Sequence, residues 1–147
     1  MAVIEKILQL NIVVEDLEQA IKNFEAYGVG PWTRDDGTSQ VLSRRRVNGK
    51  AREYEFYAAF SVIGDVEIEL IQPADEMSDY ARFLKEHGPG VHHIAVQASQ
   101  DGLSQVLEER GVPVIQSGYW AGFGGYTYYD TQEDLGLILE TYDLEKE

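Results

Sequence analysis

Two stretches of this chain follow the same plan, and a plan met twice within 147 residues leaves few folds open. The first opens on a β-branched run, Ile7 to Val14, that holds Gln9, and closes on G-D-V-E-I-E-L-I-Q-P, which holds Glu69. The second opens on V-H-H-I-A-V-Q, which holds His93, and closes on L-G-L-I-L-E-T-Y, which holds Glu140. In each, an amphipathic helix follows the opening strand and stops at a glycine: Gly28, 19 residues after Gln9, and Gly111, 18 residues after His93. A short strand–helix unit must bury its apolar face against a neighbour. Two such units closing about a shared axis bring all four polar side chains to one point.

Local signals fill in the plan. Ile7 to Val14 reads as a buried strand. Asp16 stands at a helix N-cap with Gln19 at the capping-box position, and Leu17, Ala20, Ile21 and Phe24 share one face at helical spacing. Extended segments follow at about Ser39 to Val47, Glu53 to Val62 and Val66 to Gln72. Asn48-Gly49 is a hairpin turn, Gly64-Asp65 makes the last turn, and Pro73 ends the sheet. In the connector, Asp75 to Pro89, Ser78 caps a helix carrying Tyr80, Phe83 and Leu84, which Gly88 stops. The second half repeats the order, with a strand at Val91 to Ala98 and a helix at Asp101 to Arg110 whose Leu103, Val106 and Leu107 point inward. Strands at Val112 to Gln116, Tyr126 to Asp130 and Leu137 to Tyr142 come after it, the first two separated by a glycine- and aromatic-rich loop, G-Y-W-A-G-F-G-G-Y. The expected fold is α+β. Two tandem βαβββ repeats, about 5–73 and 90–143, are joined by a connector helix at about 78–87. Together they form a curved, partly closed mixed sheet in a single domain.

Charge and composition remove several classes of function. A net charge of −14 argues against binding the nucleic-acid backbone, which needs a positive surface. No apolar run approaches the ~18 residues of a membrane span, and M-A-V-I-E-K lacks the features of a signal peptide. The chain has no cysteine, which excludes disulfides, thiolate ligands and a cysteine nucleophile. The default compartment is the cytoplasm. The one basic cluster, Arg44, Arg45, Arg46, Lys50 and Arg52, flanks the V-N-G-K turn. It reads first as a charged hairpin tip and second as a contact for an anionic substrate group.

Each of the four polar residues has a structural use when taken singly. Gln9 is an amide inside an apolar strand that needs a partner. Glu69 alternates with Ile68 and Leu70 on a face shared with Glu67, as on the wet side of a half-buried sheet. His93 follows His92, and adjacent strand residues point to opposite faces, so at most one of them is an inward ligand. Glu140 sits in L-I-L-E-T-Y, a face that is not plainly aqueous. Their matched placement in the two halves makes the set informative.

The phrases I-V-V-E-D-L-E-Q-A-I, I-E-L-I-Q-P, F-L-K-E-H-G-P-G-V-H-H-I-A-V and G-L-I-L-E cover nearly the whole chain. Through them the sequence resembles the vicinal oxygen chelate superfamily, and within it the methylmalonyl-CoA epimerases. The resemblance implies metal ligands at Gln9, Glu69, His93 and Glu140, where most epimerases carry histidine in place of Gln9 and animal-type glyoxalase I carries glutamine. One imidazole, two carboxylates and an amide oxygen suit Zn²⁺, Co²⁺, Ni²⁺ or Mn²⁺. The resemblance also implies Glu140 as the base that removes a proton α to a carbonyl. Epimerisation needs a second base on the opposite face, and Glu53 or Glu55 lies near where the epimerases carry theirs.

The implied activity is metal-dependent epimerisation or racemisation through an enolate, with an acyl-CoA or a neutral aromatic ketone as substrate. Isoflavanone-type ketone racemases belong to the same group, and the many aromatic residues suit such a ligand. A glyoxalase-like lyase and a protein that sequesters a small hydrophobic molecule are the alternatives. Against the lyase, glyoxalase I binds glutathione with a basic residue four positions after its first ligand, where this chain has Val13. Gln9 in place of a first histidine weakens the dioxygenase and fosfomycin-transferase readings. The implied partners are a small carbonyl compound and a second copy of the chain, with neither nucleic acid nor membrane.

Overall fold

The computed structural model describes residues 2–35 and 41–144. The first half runs β1 (Ile4–Val13), α1 (Leu17–Ala26), β2 (Thr33–Asp35), β3 (Leu42–Val47), β4 (Lys50–Ala51), β5 (Phe56–Ile63) and β6 (Val66–Pro73). The helix α2 (Asp79–His87) leads to the second half: β7 (Gly90–Ala98), α3 (Gln100–Glu109), β8 (Val114–Trp120), β9 (Gly124–Tyr129), α4 (Gln132–Leu135) and β10 (Ile138–Leu144). Asp16 caps α1 by accepting from the Gln19 N–H at 3.0 Å, but the Gln19 side chain bonds Asn23 rather than returning to the cap. Ser78 caps α2 through the Ala81 N–H, and Gly88 ends it at a φ of 79° that costs glycine little.

The strands form one curled sheet in the order β2-β5-β6-β1-β7-β10-β9-β8-β3-β4. The two halves meet where β1 and β7 pair antiparallel, and each of these has a parallel partner on its other side, β6 and β10. Outward from this seam the halves match: β1-β6-β5-β2 in one and β7-β10-β9-β8 in the other. Their helices also match. Leu17 and Ile21 of α1 pack on Ala59 and Leu70, and Leu103 and Leu107 of α3 pack on Val96 and Leu139. The third cluster, with Val13, Phe56, Tyr80, Phe83, Tyr128 and Ile138 among its members, fills the opposite face beneath α2.

The βαβββ duplication therefore stands, with four local corrections. The segment expected at Ser39 to Val47 yields a strand at Leu42–Val47, its first two residues lying outside the described ones. That strand pairs with β8 of the other half, and the first half's own outer strand is Thr33–Asp35 on β5, too short to show any alternation. The expected G-Y-W-A-G-F-G-G-Y loop is a tight hairpin, because Gly118 to Trp120 continue β8 and Gly124 opens β9. Val106 is exposed, since the Leu103–Leu107 pair alone spans the contact. Ile7 is 45 % exposed, so β1 alternates instead of being buried throughout. Among the described residues no helix is long and apolar enough to cross a membrane.

Candidate functional site

Register places the polar residues of the four central strands against one another. Gln9 and Asn11 of β1 lie opposite Glu67 and Glu69 of β6. Asn11 also lies opposite His93 of β7, and His93 opposite Ile138, two residues before Glu140 on β10. Glu69, His93 and Glu140 thus converge: His93 Nε2 is 3.2 Å from Glu140 Oε1 and 3.8 Å from Glu69 Oε1. All three are buried. Gln9 is buried too, and its Nε2 donates to Glu67 Oε1 at 2.6 Å, which leaves the amide oxygen as its spare ligand atom. Asn11 Nδ2 donates to Glu69 Oε1 at 3.0 Å.

The two histidines do not divide between opposite faces as simple alternation requires. Asn11 pairs with His93 and the next residue, Ile12, with Val91, so His92 is an extra residue in β7. Such a bulge puts two successive side chains on one side of the strand. Both rings are fully buried and their Nδ1 atoms are 2.7 Å apart. A second shift, between the Ile7–Val96 and Gln9–Ala95 pairs, leaves Leu8 unpaired in β1. Leu8 and Gln9 consequently line the same cavity.

Burial sets the charge states. It pushes the carboxyls of Glu69 and Glu140 well above the ordinary range; nearby charge adds to this, from Glu140 and Glu67 on Glu69 and from Glu67 on Glu140, while a hydrogen bond from Tyr128 to Glu140 opposes it. Burial also lowers His93 to about 3 and His92 to about 4. For Asp79, which accepts from His92 Nε2 at 2.8 Å, burial is the largest influence and raises it. Hydrogen bonds from His92 and Arg82 outweigh burial and hold it at about 2.

The donor set fits a divalent cation. His93 Nε2 and Glu140 Oε1 are buried atoms without a hydrogen-bond partner, facing each other across 3.2 Å. Ligands on one tetrahedral ion with bonds of ~2.1 Å stand about 3.4 Å apart, and the two contacts of His93 bracket that spacing. Among the described residues no group of three histidine, aspartate or glutamate side chains stands in metal-holding geometry; Glu69 Oε1, which accepts from Asn11, is the more distant of the two carboxylate oxygens from His93 Nε2. A side-chain adjustment of Glu69, with the amide oxygen of Gln9, would be needed to complete a set of one imidazole, two carboxylates and an amide.

Above these residues lies a cavity of about 500 Å³. Gln9, Glu67, Glu69 and Glu140 supply its polar side, and Phe56, Phe60, Trp120, Phe123 and Tyr142 its aromatic walls. Among the described residues no lysine or arginine lines it. Glu53 and Glu55, the sequence candidates for a second base, lie outside: both precede β5, their carboxylates sit 3.7 and 3.6 Å from the Arg45 guanidinium, and neither reaches the cavity. The basic tip is partly spent internally, since Arg45 donates to the Tyr54 carbonyl and Arg46 to that of Gly49. Sequence reasoning passed over Glu67, assigning its face to solvent; the E-x-E alternation with Glu69 was the available signal. It also missed Asn11, two residues from Gln9 on the same strand face, and Asp79, whose role depends on the bulge.

Paired βαβββ units whose central strands bring an imidazole against carboxylates that line one cavity define the class of vicinal oxygen chelate folds. The chain belongs to the Glyoxalase/Bleomycin resistance protein/Dioxygenase superfamily, whose family model matches residues 8–129. Among solved structures it is similar to methylmalonyl-CoA epimerase from Mycobacterium tuberculosis, at 19 % identity over 99 % of this chain and 92 % of that one, with a TM-score of 0.66. A hypothetical protein from Bacillus halodurans is similar at 21 % identity over 97 % and 96 % of the two chains, TM-score 0.68. A variant of Streptomyces coelicolor methylmalonyl-CoA epimerase, in complex with 2-nitronate-propionyl-CoA, is similar at 19 % identity over 94 % and 96 %, TM-score 0.61. No curated protein matches the sequence.

Proposed function

We propose that the chain acts as a single-domain, metal-dependent epimerase or racemase that exchanges a proton α to the carbonyl of a neutral aromatic ketone. The observation that carries the reading is the meeting of His93 Nε2 with Glu140 and Glu69 at the polar side of an otherwise aromatic cavity. Gln9, Glu69, His93 and Glu140 would hold a divalent ion (Zn²⁺, Co²⁺, Ni²⁺ or Mn²⁺), which supplies a Lewis acid for the substrate carbonyl and for the enolate oxygen. Glu140, ionised beside the cation, would take the α-proton; the C–H electron pair forms the carbon–carbon double bond of the enolate as the carbonyl π pair moves onto oxygen. Glu67 lines the same cavity and is near enough to influence both other carboxyls. In its acid form it would deliver a proton to the opposite face as the electron pair moves back, and proton exchange with water then restores both carboxyls. The aromatic walls grip a flat ligand and keep water from the enolate.

Charge selects between the two substrate classes. A divalent ion at the site offsets two of the three carboxylates Glu67, Glu69 and Glu140, and among the described residues no lysine or arginine lines the cavity to offset the third, so a substrate bearing its own carboxylate beside the reacting carbon adds an uncompensated negative charge. A neutral ketone meets none of that repulsion. The assembly we propose is a homodimer, because both sheet edges, β2 and β4, are short and open; light scattering measures it directly.

The test is incubation of the protein in D₂O with Zn²⁺ or Co²⁺ and either chiral aryl ketones or methylmalonyl-CoA. Metal-dependent deuterium uptake at the α-carbon with loss of optical activity, favouring the neutral ketones, is the expected result. Absence of exchange for both classes overturns the reading. Tight ketone binding that survives chelator and Glu140→Ala, without exchange, makes the protein a sequestering member of the fold instead.

A further inference from the structure

We propose that Asp79 and His92 form a hydrogen-bonded relay that fixes the tautomer of His93 and so turns its Nε2 lone pair toward the metal position; this rests on the metal reading above. The chain of contacts is continuous. Arg82 grips the Asp79 carboxylate with two hydrogen bonds, at 2.5 and 3.0 Å, and Asp79 Oδ2 lies 2.8 Å from His92 Nε2. His92 Nδ1 lies 2.7 Å from His93 Nδ1, and His93 Nε2 faces Glu140 and Glu69. Asp79 and both rings are buried, with the rings at 0 % exposure.

Donor and acceptor counting then leaves one arrangement compatible with a cation at His93 Nε2. A carboxylate pinned by a guanidinium has only acceptors to offer, so His92 Nε2 carries the proton on that side. His92 Nδ1 and His93 Nδ1 share one proton between them; placed on His92 it would leave His93 protonated at Nε2, with no lone pair for a cation, so a metal-ready Nε2 requires His92 Nδ1 to accept. His93 Nδ1 therefore donates, and His93 Nε2 is left with its lone pair. A metal-bound imidazole is commonly oriented by one carboxylate or carbonyl on its far nitrogen; in this chain the carboxylate acts at one remove, through a second histidine. The bulge at His92 makes this possible, because in an unbroken strand the two rings would leave on opposite sides and their Nδ1 atoms could not meet. Asp79 and His92 are positioning residues: neither lines the cavity.

Nitrogen-15 NMR of the metal-free full-length protein reads the tautomer without any variant. His93 should show a proton on Nδ1 and an unprotonated Nε2; a proton found on Nε2 overturns the relay. Competition with a chromogenic chelator for Zn²⁺ or Co²⁺ reads its consequence. Asp79→Asn and His92→Phe should each weaken metal binding by about 10- to 100-fold, the range typical of such supporting partners, and Asp79→Asn should shift the His93 nitrogen signals in the absence of metal. Wild-type metal affinity in both variants, with unchanged His93 signals, overturns the proposal. A wild-type protein that binds no divalent ion defeats the metal reading, while the tautomer measurement still decides the relay.

Discussion

Replacing Glu140 by glutamine should make the metal-free protein more stable, although it removes a residue at the centre of the site. The nearest oxygens of Glu140 and Glu69 lie 3.2 and 3.8 Å from the same nitrogen, so they stand at most about 7 Å apart. Two full charges at that separation repel by about 2.4 kcal/mol at an effective dielectric of ~20. The folded protein can avoid the repulsion by keeping a proton on Glu140, but this costs about 1.4 kcal/mol for each pH unit above the ordinary glutamate value, or about 3.5 kcal/mol near pH 7. The smaller figure sets the gain at about 2 kcal/mol. Glutamine has the same shape, carries no charge, and can donate from its amide to the unpartnered His93 Nε2. For a chain of this size about 2–4 °C accompanies each kcal/mol, so Tm should rise by about 4–8 °C in chelator.

The pH dependence has a definite sign. A carboxyl whose folded pKa lies above its unfolded value stabilises the fold below the unfolded value and loses that contribution as pH rises toward the folded one. Glu140 is of this kind. The gap between Glu140→Gln and wild type should therefore be small near pH 4.5 and open as pH climbs to neutrality. Added Zn²⁺ should reverse the order, since an ion at 100 times its Kd stabilises the wild type by about 2.7 kcal/mol and the variant has lost a charged ligand. Thermal melts at several pH values, with and without metal, provide the assay. A variant that melts at or below wild type at pH 7 in chelator, or a gap indifferent to pH, refutes the reasoning.

Three further outcomes follow from particular contacts. Asp16→Ala removes the acceptor for the Gln19 N–H at the start of α1 and should cost about 1 kcal/mol in urea unfolding. Gly124→Ala should be strongly damaging at this buried position: with φ at 139° and an added Cβ only 2.3 Å from the Asp143 carbonyl, the end of the β9–β10 pair must part, which hydrogen exchange at Asp143 and Leu144 will report. Trp120→Ala removes a cavity wall and should raise the KM for an aromatic ketone by about 10- to 100-fold, corresponding to about 1.5–3 kcal/mol of lost apolar burial, while metal affinity in the chelator competition stays unchanged.

Much of the architecture was legible because it is written in short-range patterns. Leu17, Ile21, Leu103 and Leu107 carry the helix faces at helical spacing, and Asp16, Ser78 and Gly88 mark the helix ends by the backbone groups they satisfy. The duplication was legible because each half repeats that pattern with nearly equal spacing. What stayed hidden depends on pairing. Nothing within Leu42–Val47 says that this strand leaves its own half to pair with β8, and nothing within G-Y-W-A-G-F-G-G-Y says where β8 ends and β9 begins.

The site divides along the same line. Glu69, His93 and Glu140 could be picked out because each occupies a matched place in a strand, whereas the surroundings that give them chemistry come from register. Glu67 reads as a solvent-facing residue until its face is seen to be a cavity wall beside Gln9. Asp79 reads as a surface residue in the first turn of a helix until a bulge in another strand turns His92 toward it. A bulge is a mismatch between two strands and leaves no trace in either strand alone. It follows that chains sharing the G-V-H-H-I-A-V wording need not share the relay. Without an acidic side chain where Asp79 stands, His92 has no ionised acceptor for its Nε2 proton, and the tautomer of His93 is left to other contacts. Grafting that single acid into such a chain, and reading the His93-equivalent nitrogen by NMR, separates the effect of the carboxylate from that of the bulge.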